Sequence, residues 1–196
     1  ALYSTPAGKN TIVIVLADHG DGMGSHRMVT KQVSFYEEMT NVPFIIAGPG
    51  IHPRQKPVED LLTQPTIDLL PTLCELAGIP VPSSKPGISL APFLKGEKQK
   101  RQHPYAASEW HSEYEVTVSP GRMIRSPRYK YTHYLEGNGE ELYDMLKDKG
   151  ERRNLAHDPK YSKILAEHRA LLDDYIRRTQ DDYRSLKVEA DKRWRS

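Results

Sequence analysis

An aspartate and a histidine directly follow a long apolar run near the start of this 196-residue sequence. The run TIVIVLA ends at Asp18 and His19, and glycines occupy positions 20, 22 and 24. A carboxylate and an imidazole at the end of a buried segment are costly to remove from water, and a divalent cation is a partner that binds both. The pair therefore predicts a metal site. In the alternative interpretation, Asp18 caps a following helix and His19 is a partly exposed loop residue.

Strands must place this pair at the edge of a sheet. Residues 12–16 (IVIVL) are apolar and mostly β-branched, which is typical of a strand covered on both faces in a parallel sheet. Residues 42–47 predict a second strand, and residues 34–39 predict a short helix between them. Ligands of open parallel sheets bind beyond the carboxyl ends of the strands, where glycines allow close approach of the backbone. The alternation predicts an α/β fold class.

The remaining sequence predicts one more helix in the first half and a different second half. Residues 64–80 have apolar side chains at helical spacing, and Pro71 should kink this helix or divide it into two. After Tyr105, short runs rich in Tyr, Val and Thr predict a small antiparallel sheet. Residues 161–176 predict an amphipathic helix, and the charged tail beyond Arg177 is expected to extend it into solvent. We therefore expect a core portion at 1–100 and a subdomain at 101–196.

The composition excludes some classes of partner. The formal net charge is +2, and acidic residues are interleaved with the basic ones, so no surface for nucleic acid is predicted. No apolar run approaches the roughly 18 residues of a membrane span, so no membrane partner is predicted. The single cysteine, Cys74, forbids an internal disulfide.

The stretch around Asp18 resembles a known enzyme family. Residues 18–31 (DHGDGMGSHRMVTK) and 35–50 (FYEEMTNVPFIIAGPG) resemble the second metal-binding segment of the sulfatases, within the alkaline phosphatase superfamily. Three later stretches are also similar: PTIDLLPTLCELAGIPVP, PGISLAPFLKGE and EELYDMLKDKGERRNLAHDP. The resemblance implies the C-terminal part of an alkaline-phosphatase-like core with a parallel or mixed sheet. A small antiparallel subdomain and a C-terminal helix would follow it.

The resemblance implies roles for particular residues. Asp18 matches a metal-ligand aspartate, and His19 stands where members carry Asn or His in the metal shell. Lys31 resembles the lysine that contacts the sulfate, and His26 matches a histidine placed near the pocket in one branch. Asp21 departs from the glutamate of many members. The implied cation is most consistent with Ca²⁺, and the implied partner is a sulfated small molecule or carbohydrate.

Other parts of the implied site have no counterpart in this sequence. Such sulfatases use a formylglycine made from Cys or Ser in a C/S-x-P-x-R motif. Ser4 begins a similar pattern that has Gly8 in place of the arginine, and the residues after Cys74 do not match. The family's first acidic metal ligands are also absent. We therefore expect the nucleophile in an N-terminal half and the chain alone to be inactive. The family resemblance suggests a periplasmic or secreted location.

Alternative functions remain open from the sequence. Phosphonate or phosphate ester hydrolases and phosphoethanolamine transferases share the Asp-His segment and would act on phosphorus. A non-catalytic glycan-binding module is the other alternative, with its contacts on one face of the small sheet: Trp110, His111, Arg122, Arg125 and Tyr129. Because residues 12–16 should have sheet neighbours elsewhere, the expected partner is an N-terminal half of the enzyme or a second copy of the chain.

Overall fold

The computed structural model describes residues 1–29, 34–59, 61–99, 102–111, 120–135 and 139–185. Its strands and α-helices, in chain order, are β1 (Val13–Leu16), α1 (Glu37–Thr40), β2 (Phe44–Ala47), α2 (Pro65–Leu76), α3 (Ala91–Leu94), β3 (Ala106–Trp110), β4 (Gly121–Arg125), β5 (Tyr129–Tyr134), β6 (Glu140–Asp144) and α4 (Ser162–Thr179). The mixed composition confirms the α/β class, and the chain forms two compact units, 1–20 with 41–104 and 21–40 with 105–196. The domain division at residue 100 stays a prediction, although residues 21–40 group with the second unit.

The first unit contains a two-stranded sheet made of β1 and β2. The strands run antiparallel, with Val13 opposite Ala47, so the expectation of a parallel arrangement is wrong for this pair. The expectation of two covered faces also fails within the described residues, because Val15 and Ile45 are exposed at 49% and 57%. A continuous apolar run indicates burial in the complete protein but carries no information on strand direction.

Helix α2 is held to the rest of the first unit by a buried carboxylate. Pro71 lies inside one continuous helix, so the interpretation as two short helices is wrong. Asp68 of this helix is fully buried. Its Oδ1 accepts a hydrogen bond from the backbone N–H of Ile88 at 2.8 Å and lies 2.8 Å from Nε2 of His103. This carboxylate therefore ties the segments at residues 88 and 103 to the helix.

The second unit is built on a four-stranded antiparallel sheet in the order β3-β4-β5-β6. The predicted small antiparallel sheet is thus confirmed, although one of its expected strands, residues 114–118, lies outside the described residues. Side chains alternate between the two faces of a strand. On one face, Ile124, Tyr131 and Leu142 pack with Leu165 and Leu172 of α4 in the buried apolar core. The amphipathic stripe of the final helix is buried as predicted.

The other face of the sheet, called the polar face because it carries buried charged side chains beside Met123 and Tyr143, is covered by residues 34–40. It carries Arg125, Lys130 and Thr132, which face the same side because Met123 pairs with Thr132 and Arg125 with Lys130. Lys130 and Thr132 expose 1% and 2% of their surface. Buried groups of this kind need partners, and Nζ of Lys130 lies 2.9 Å from a carboxylate oxygen of Glu37. The segment that follows the glycine-rich loop is therefore fixed to this face.

The chain beyond α4 turns back onto the sheet. Gln180 adopts a left-handed conformation at the end of the helix. The carboxylate of Asp181 then accepts two hydrogen bonds from Arg122, at 2.6 and 2.9 Å, and Tyr183 is fully buried. The expected extension of the helix into solvent is therefore wrong for residues 181–185. Across the described part of the chain, no helix combines the length and the apolar character needed to cross a membrane.

Candidate functional site

Asp18 and His19 follow the end of β1 and make a compact local arrangement. One carboxylate oxygen of Asp18 accepts a hydrogen bond from the backbone N–H of His19 at 2.9 Å. The imidazole Nδ1 lies 2.8 Å from the carbonyl oxygen of Gly20. A carbonyl oxygen only accepts, so Nδ1 carries a proton, and in the neutral ring the lone pair is then on Nε2. A backbone hydrogen bond on one ring nitrogen is the usual device that orients the other toward a metal.

The donor atoms of this pair have the spacing of neighbouring ligands around one cation. Nε2 of His19 lies 3.6 Å from Oδ2 of Asp18. Two ligands at right angles around a hard cation, each about 2.4 Å from it, lie about 3.4 Å apart. The side chains expose 44% of His19 and 88% of Asp18, so both donor groups are accessible. Among the residues that the structure describes, no cluster of three or more His, Cys, Asp or Glu side chains could complete such a site.

The helix-capping interpretation of Asp18 does not fit the structure. The first helical turn after it, Ser25–Arg27, follows Gly24, and no side chain hydrogen-bonds to its N-terminus. Asp18 instead accepts a hydrogen bond from the backbone N–H of its neighbour His19. This arrangement favours the metal-ligand interpretation, which nonetheless stays a prediction.

The loop after the pair has an unusual backbone. Gly24 has φ = 93°, as a glycine can, but Met23, His26 and Arg27 also have positive φ, at 45°, 50° and 63°. Such values cost a non-glycine residue roughly 1 kcal/mol or more and persist only where surrounding contacts impose them. Hydrogen bonds close the loop, from the N–H of Gly24 to the carbonyl of Met28 and from the N–H of Met28 back to that of Ser25.

His26 lies in the second unit and has two close neighbours there. Its ring stacks on the ring of Tyr36, with centroids 3.7 Å apart and planes within 2°. Its Nε2 lies 4.0 Å from a carboxylate oxygen of Glu38, whose other oxygen accepts a hydrogen bond from the hydroxyl of Ser25. The structure therefore fixes this ring and leaves 17% of the side chain exposed. Lys31, the predicted sulfate contact, lies outside the described residues.

The residues of the glycan-binding alternative do not share one face. Arg122 and Arg125 are separated by three positions of β4, and strand alternation places their side chains on opposite faces. Arg122 is 4% exposed and pairs with Asp181, while Nε of Arg125 lies 3.9 Å from Glu37. Both guanidinium groups therefore have internal partners. The single sugar-contacting face that this alternative requires is therefore not formed by these residues.

Sequence reasoning missed the residues that hold the loop of His26. Tyr36 and Glu38 lie within the motif at residues 35–50, and Lys130 lies within a predicted strand. Of these residues, Lys130 has a signal in the sequence. Side chains alternate between the two faces of a strand, so a lysine flanked by Tyr129 and Tyr131 must point away from the apolar face. Which carboxylates it meets depends on distant residues, because Glu37 and Glu151 lie 93 and 21 positions away in sequence.

Comparisons with known proteins agree with this architecture. Residues 24–178 match the family profile "N-sulphoglucosamine sulphohydrolase, C-terminal". The chain is 78% identical over 196 residues to a Delta 4,5-hexuronate-2-O-sulfatase of Bacteroides thetaiotaomicron, covering all of this chain and 41% of that protein. A solved structure of a 2-O GAG sulfatase is 78% identical, with a TM-score of 0.93 over 97% of this chain and 41% of the other.

A more distant structure bears on the phosphorus alternative. The phosphonate monoester hydrolase from Silicibacter pomeroyi is 26% identical, with a TM-score of 0.78 over 97% of this chain and 41% of its own. This chain thus spans about two fifths of the length of the relatives that it matches. Since the family profile covers most of the sequence, the chain belongs to the sulfatase family of the alkaline phosphatase superfamily and corresponds to the C-terminal part of these enzymes.

Proposed function

We propose that the chain is the C-terminal part of an enzyme that hydrolyses a sulfate ester of a carbohydrate. The single observation that carries the proposal is the pair Asp18 and His19, because its donor atoms lie 3.6 Å apart and the contact of Nδ1 with the carbonyl of Gly20 leaves Nε2 as the ring nitrogen that could bind a metal. Such a pair fits part of the shell of a divalent cation. The 78% identity to a Delta 4,5-hexuronate-2-O-sulfatase supports an unsaturated uronic acid with a 2-O-sulfate as the substrate.

The proposed cation is Ca²⁺, held by Asp18, by His19 and by ligands outside this chain. A hard cation binds six to eight mostly oxygen ligands, so these two residues supply only part of its shell. When bound, the cation supplies positive charge against the sulfate oxygens. The nucleophile of the proposed reaction is a formylglycine, which this chain does not carry, so the isolated chain is proposed to be inactive.

Lys31 is proposed to hold a sulfate oxygen, and His26 is proposed to lie near the pocket. The group proposed to protonate the leaving alcohol is Lys31 or a histidine of the N-terminal half. A charge-assisted contact from a lysine strengthens as negative charge grows on the ester oxygens, so it should favour the transition state over the bound substrate. Replacing Lys31 with Ala in the full-length enzyme should therefore lower kcat more than it raises KM. Lys56→Ala, an exposed loop lysine of the first unit, is the control. Equal kinetics of the Lys31 variant and the control would contradict the sulfate contact.

The exposed apolar side chains of β1 and β2 are proposed to contact the N-terminal half of the enzyme. Val15 and Ile45 expose about half of their surface, and this surface would be removed from water in that contact. Among the described strands, β1 and β2 pair only with each other, so each has an outer edge for a further strand. Self-association of the isolated chain through the same edges is the competing outcome.

The test of the proposed function is sulfate release by the full-length enzyme. We expect release from a 2-O-sulfated unsaturated disaccharide, little from a 6-O-sulfated hexosamine, and none from an aryl phosphonate. Asp18→Asn should lose bound metal, measured by elemental analysis, together with turnover. Asp21→Asn is the matched control, because in the described part of the chain the carboxylate of Asp21 accepts a hydrogen bond from the backbone N–H of Met23, which an asparagine oxygen can also accept.

Particular results would contradict parts of this proposal. Faster turnover of the phosphonate than of every sulfate ester would favour the phosphorus alternative, which the similarity to a phosphonate monoester hydrolase keeps open. Retention of both metal and turnover by Asp18→Asn would refute the ligand assignment.

A further inference from the structure

We infer that Tyr36 and Glu38 are positioning residues that hold the ring of His26 in one orientation. They clamp it from two directions, by a parallel stack and by a carboxylate. The inference rests on the proposed function for its catalytic consequence, since His26 serves a reaction only if the full-length protein hydrolyses an ester. The geometry itself belongs entirely to the second unit of the fold.

The stack on Tyr36 restricts the ring plane of His26. The centroids are 3.7 Å apart and the planes differ by 2°. At this separation the ring cannot tilt without overlapping the phenol ring, since the separation is already that of van der Waals contact. The backbone of His26 has φ = 50°, a conformation that the local sequence does not favour. The contacts of its side chain are therefore part of what keeps the residue in place.

The carboxylate of Glu38 restricts the remaining freedom of the ring. One of its oxygens accepts the hydroxyl of Ser25, the residue that precedes His26, and the other lies 4.0 Å from the imidazole Nε2. Burial opposes ionisation of this carboxyl, but the hydrogen bonds from Ser25 and from its own backbone N–H, together with the nearby His26 and Lys130, outweigh burial, and the pKa of Glu38 lies below its ordinary value. An ionised carboxylate therefore faces Nε2 of His26, the ring that we propose to lie near the pocket.

The two clamping residues are themselves fixed to the polar face of the sheet. Between them, the backbone N–H of Glu37 donates to a carboxylate oxygen of Glu151 at 2.7 Å. The side chain of Glu37 accepts a hydrogen bond from Lys130 at 2.9 Å. The ring of Tyr36 also lies 6.4 Å from that of Tyr143 on β6. The subdomain sheet thus supplies a rigid support behind the loop.

The experiment uses the full-length enzyme with variants of each contact. Tyr36→Leu removes the stack and Tyr36→Phe keeps it, while Glu38→Gln keeps the shape of the side chain but removes its charge. We expect Tyr36→Leu and Glu38→Gln to lower kcat about tenfold or more with KM changed less than about twofold, because the loss is confined to the transition state. Tyr36→Phe should retain most of the wild-type kcat. Tyr161→Leu is the matched tyrosine control, and Glu140→Gln, another glutamate that accepts a hydroxyl, is the matched glutamate control.

A double-mutant cycle separates positioning from a merely structural role. If Tyr36 acts through His26, Tyr36→Leu should lower kcat little further in a His26→Ala background, because the group that it orients is already gone. A loss in the cycle equal to the product of the two single losses would overturn the inference. So would a kcat of Tyr36→Phe as low as that of Tyr36→Leu.

An NMR measurement tests the positioning independently of the substrate. The ring protons of His26, labelled with ¹³C, should show an upfield shift from the tyrosine ring in the wild type and in Tyr36→Phe but not in Tyr36→Leu. Absence of that pattern overturns the inference whatever the enzyme hydrolyses. If the pattern is present but the wild type releases no sulfate from any ester, the proposed function fails and the positioning of the ring stands.

Discussion

The buried lysine of β5 allows a quantitative prediction about the stability of the second unit. The side chains of Lys130 and Glu151 each expose 1% of their surface, and their charged atoms lie 2.9 Å apart. Glu37 supplies a second carboxylate to the same ammonium, also at 2.9 Å. Lys130→Met keeps the apolar stem but leaves Glu151 buried without its cation. Breaking a buried pair in this way typically costs about 3–5 kcal/mol.

The loss of stability in Lys130→Met should depend on pH in a definite direction. Burial raises the pKa of the Glu151 carboxyl above its ordinary value, although Lys130 opposes the shift. A carboxyl with a raised pKa in the folded protein favours folding at low pH, and this contribution is lost as the pH rises through the folded pKa. Without Lys130 this pKa should rise further. The difference in free energy of unfolding between the wild type and Lys130→Met should therefore be largest near pH 8 and should decrease as the pH falls toward about 4.

The assay is urea unfolding at pH 8 and at pH 5, monitored by amide hydrogen exchange in β5 and β6. Exchange in these strands reports the free energy of opening of this part of the fold rather than of the whole enzyme. Lys160→Met, an exposed lysine of the same unit, should change that free energy by less than about 0.5 kcal/mol. A loss below about 1 kcal/mol in Lys130→Met, or an equal loss at both pH values, would refute the reasoning.

Three further outcomes are expected. Gly87→Ala should destabilise the first unit by about 2–3 kcal/mol in thermal unfolding, because φ is 111° and a Cβ would lie 2.1 Å from a carbonyl oxygen of α2. The control Gly78→Ala should cost about 1 kcal/mol, because φ is 68° and no atom lies within 4 Å of the added Cβ. Asp181→Asn should cost about 3 kcal/mol by removing the carboxylate 2.6 Å from Arg122, whose other carboxylate, Glu109, lies 4.0 Å away. Asp174→Asn on the exposed face of α4 should be near neutral in the same measurement. The isolated chain should be a dimer or larger by light scattering through the exposed edges of β1 and β2, and a monodisperse monomer that unfolds cooperatively would contradict the proposed contact.

The sequence by itself determined those features whose signal is local. The apolar run at residues 12–16 predicted β1, and the three-and-four spacing after Tyr161 predicted α4. Asp18 and His19 could be singled out because two polar groups end an apolar strand, and the motif around them identified the family. The spacing of apolar residues and the polar residues that end an apolar run are properties of neighbouring residues, so no tertiary information was needed.

Only the tertiary structure decided how distant segments pair. The antiparallel direction of β1 and β2, the return of Asp181 to Arg122, and the assignment of residues 21–40 to the second unit depend on partners far away in the chain. The same holds for the positive φ of His26, which packing on Tyr36 compensates. The physical reason is that the free energy of these features comes from non-local contacts, whose identity is not encoded in the residues that surround them in sequence.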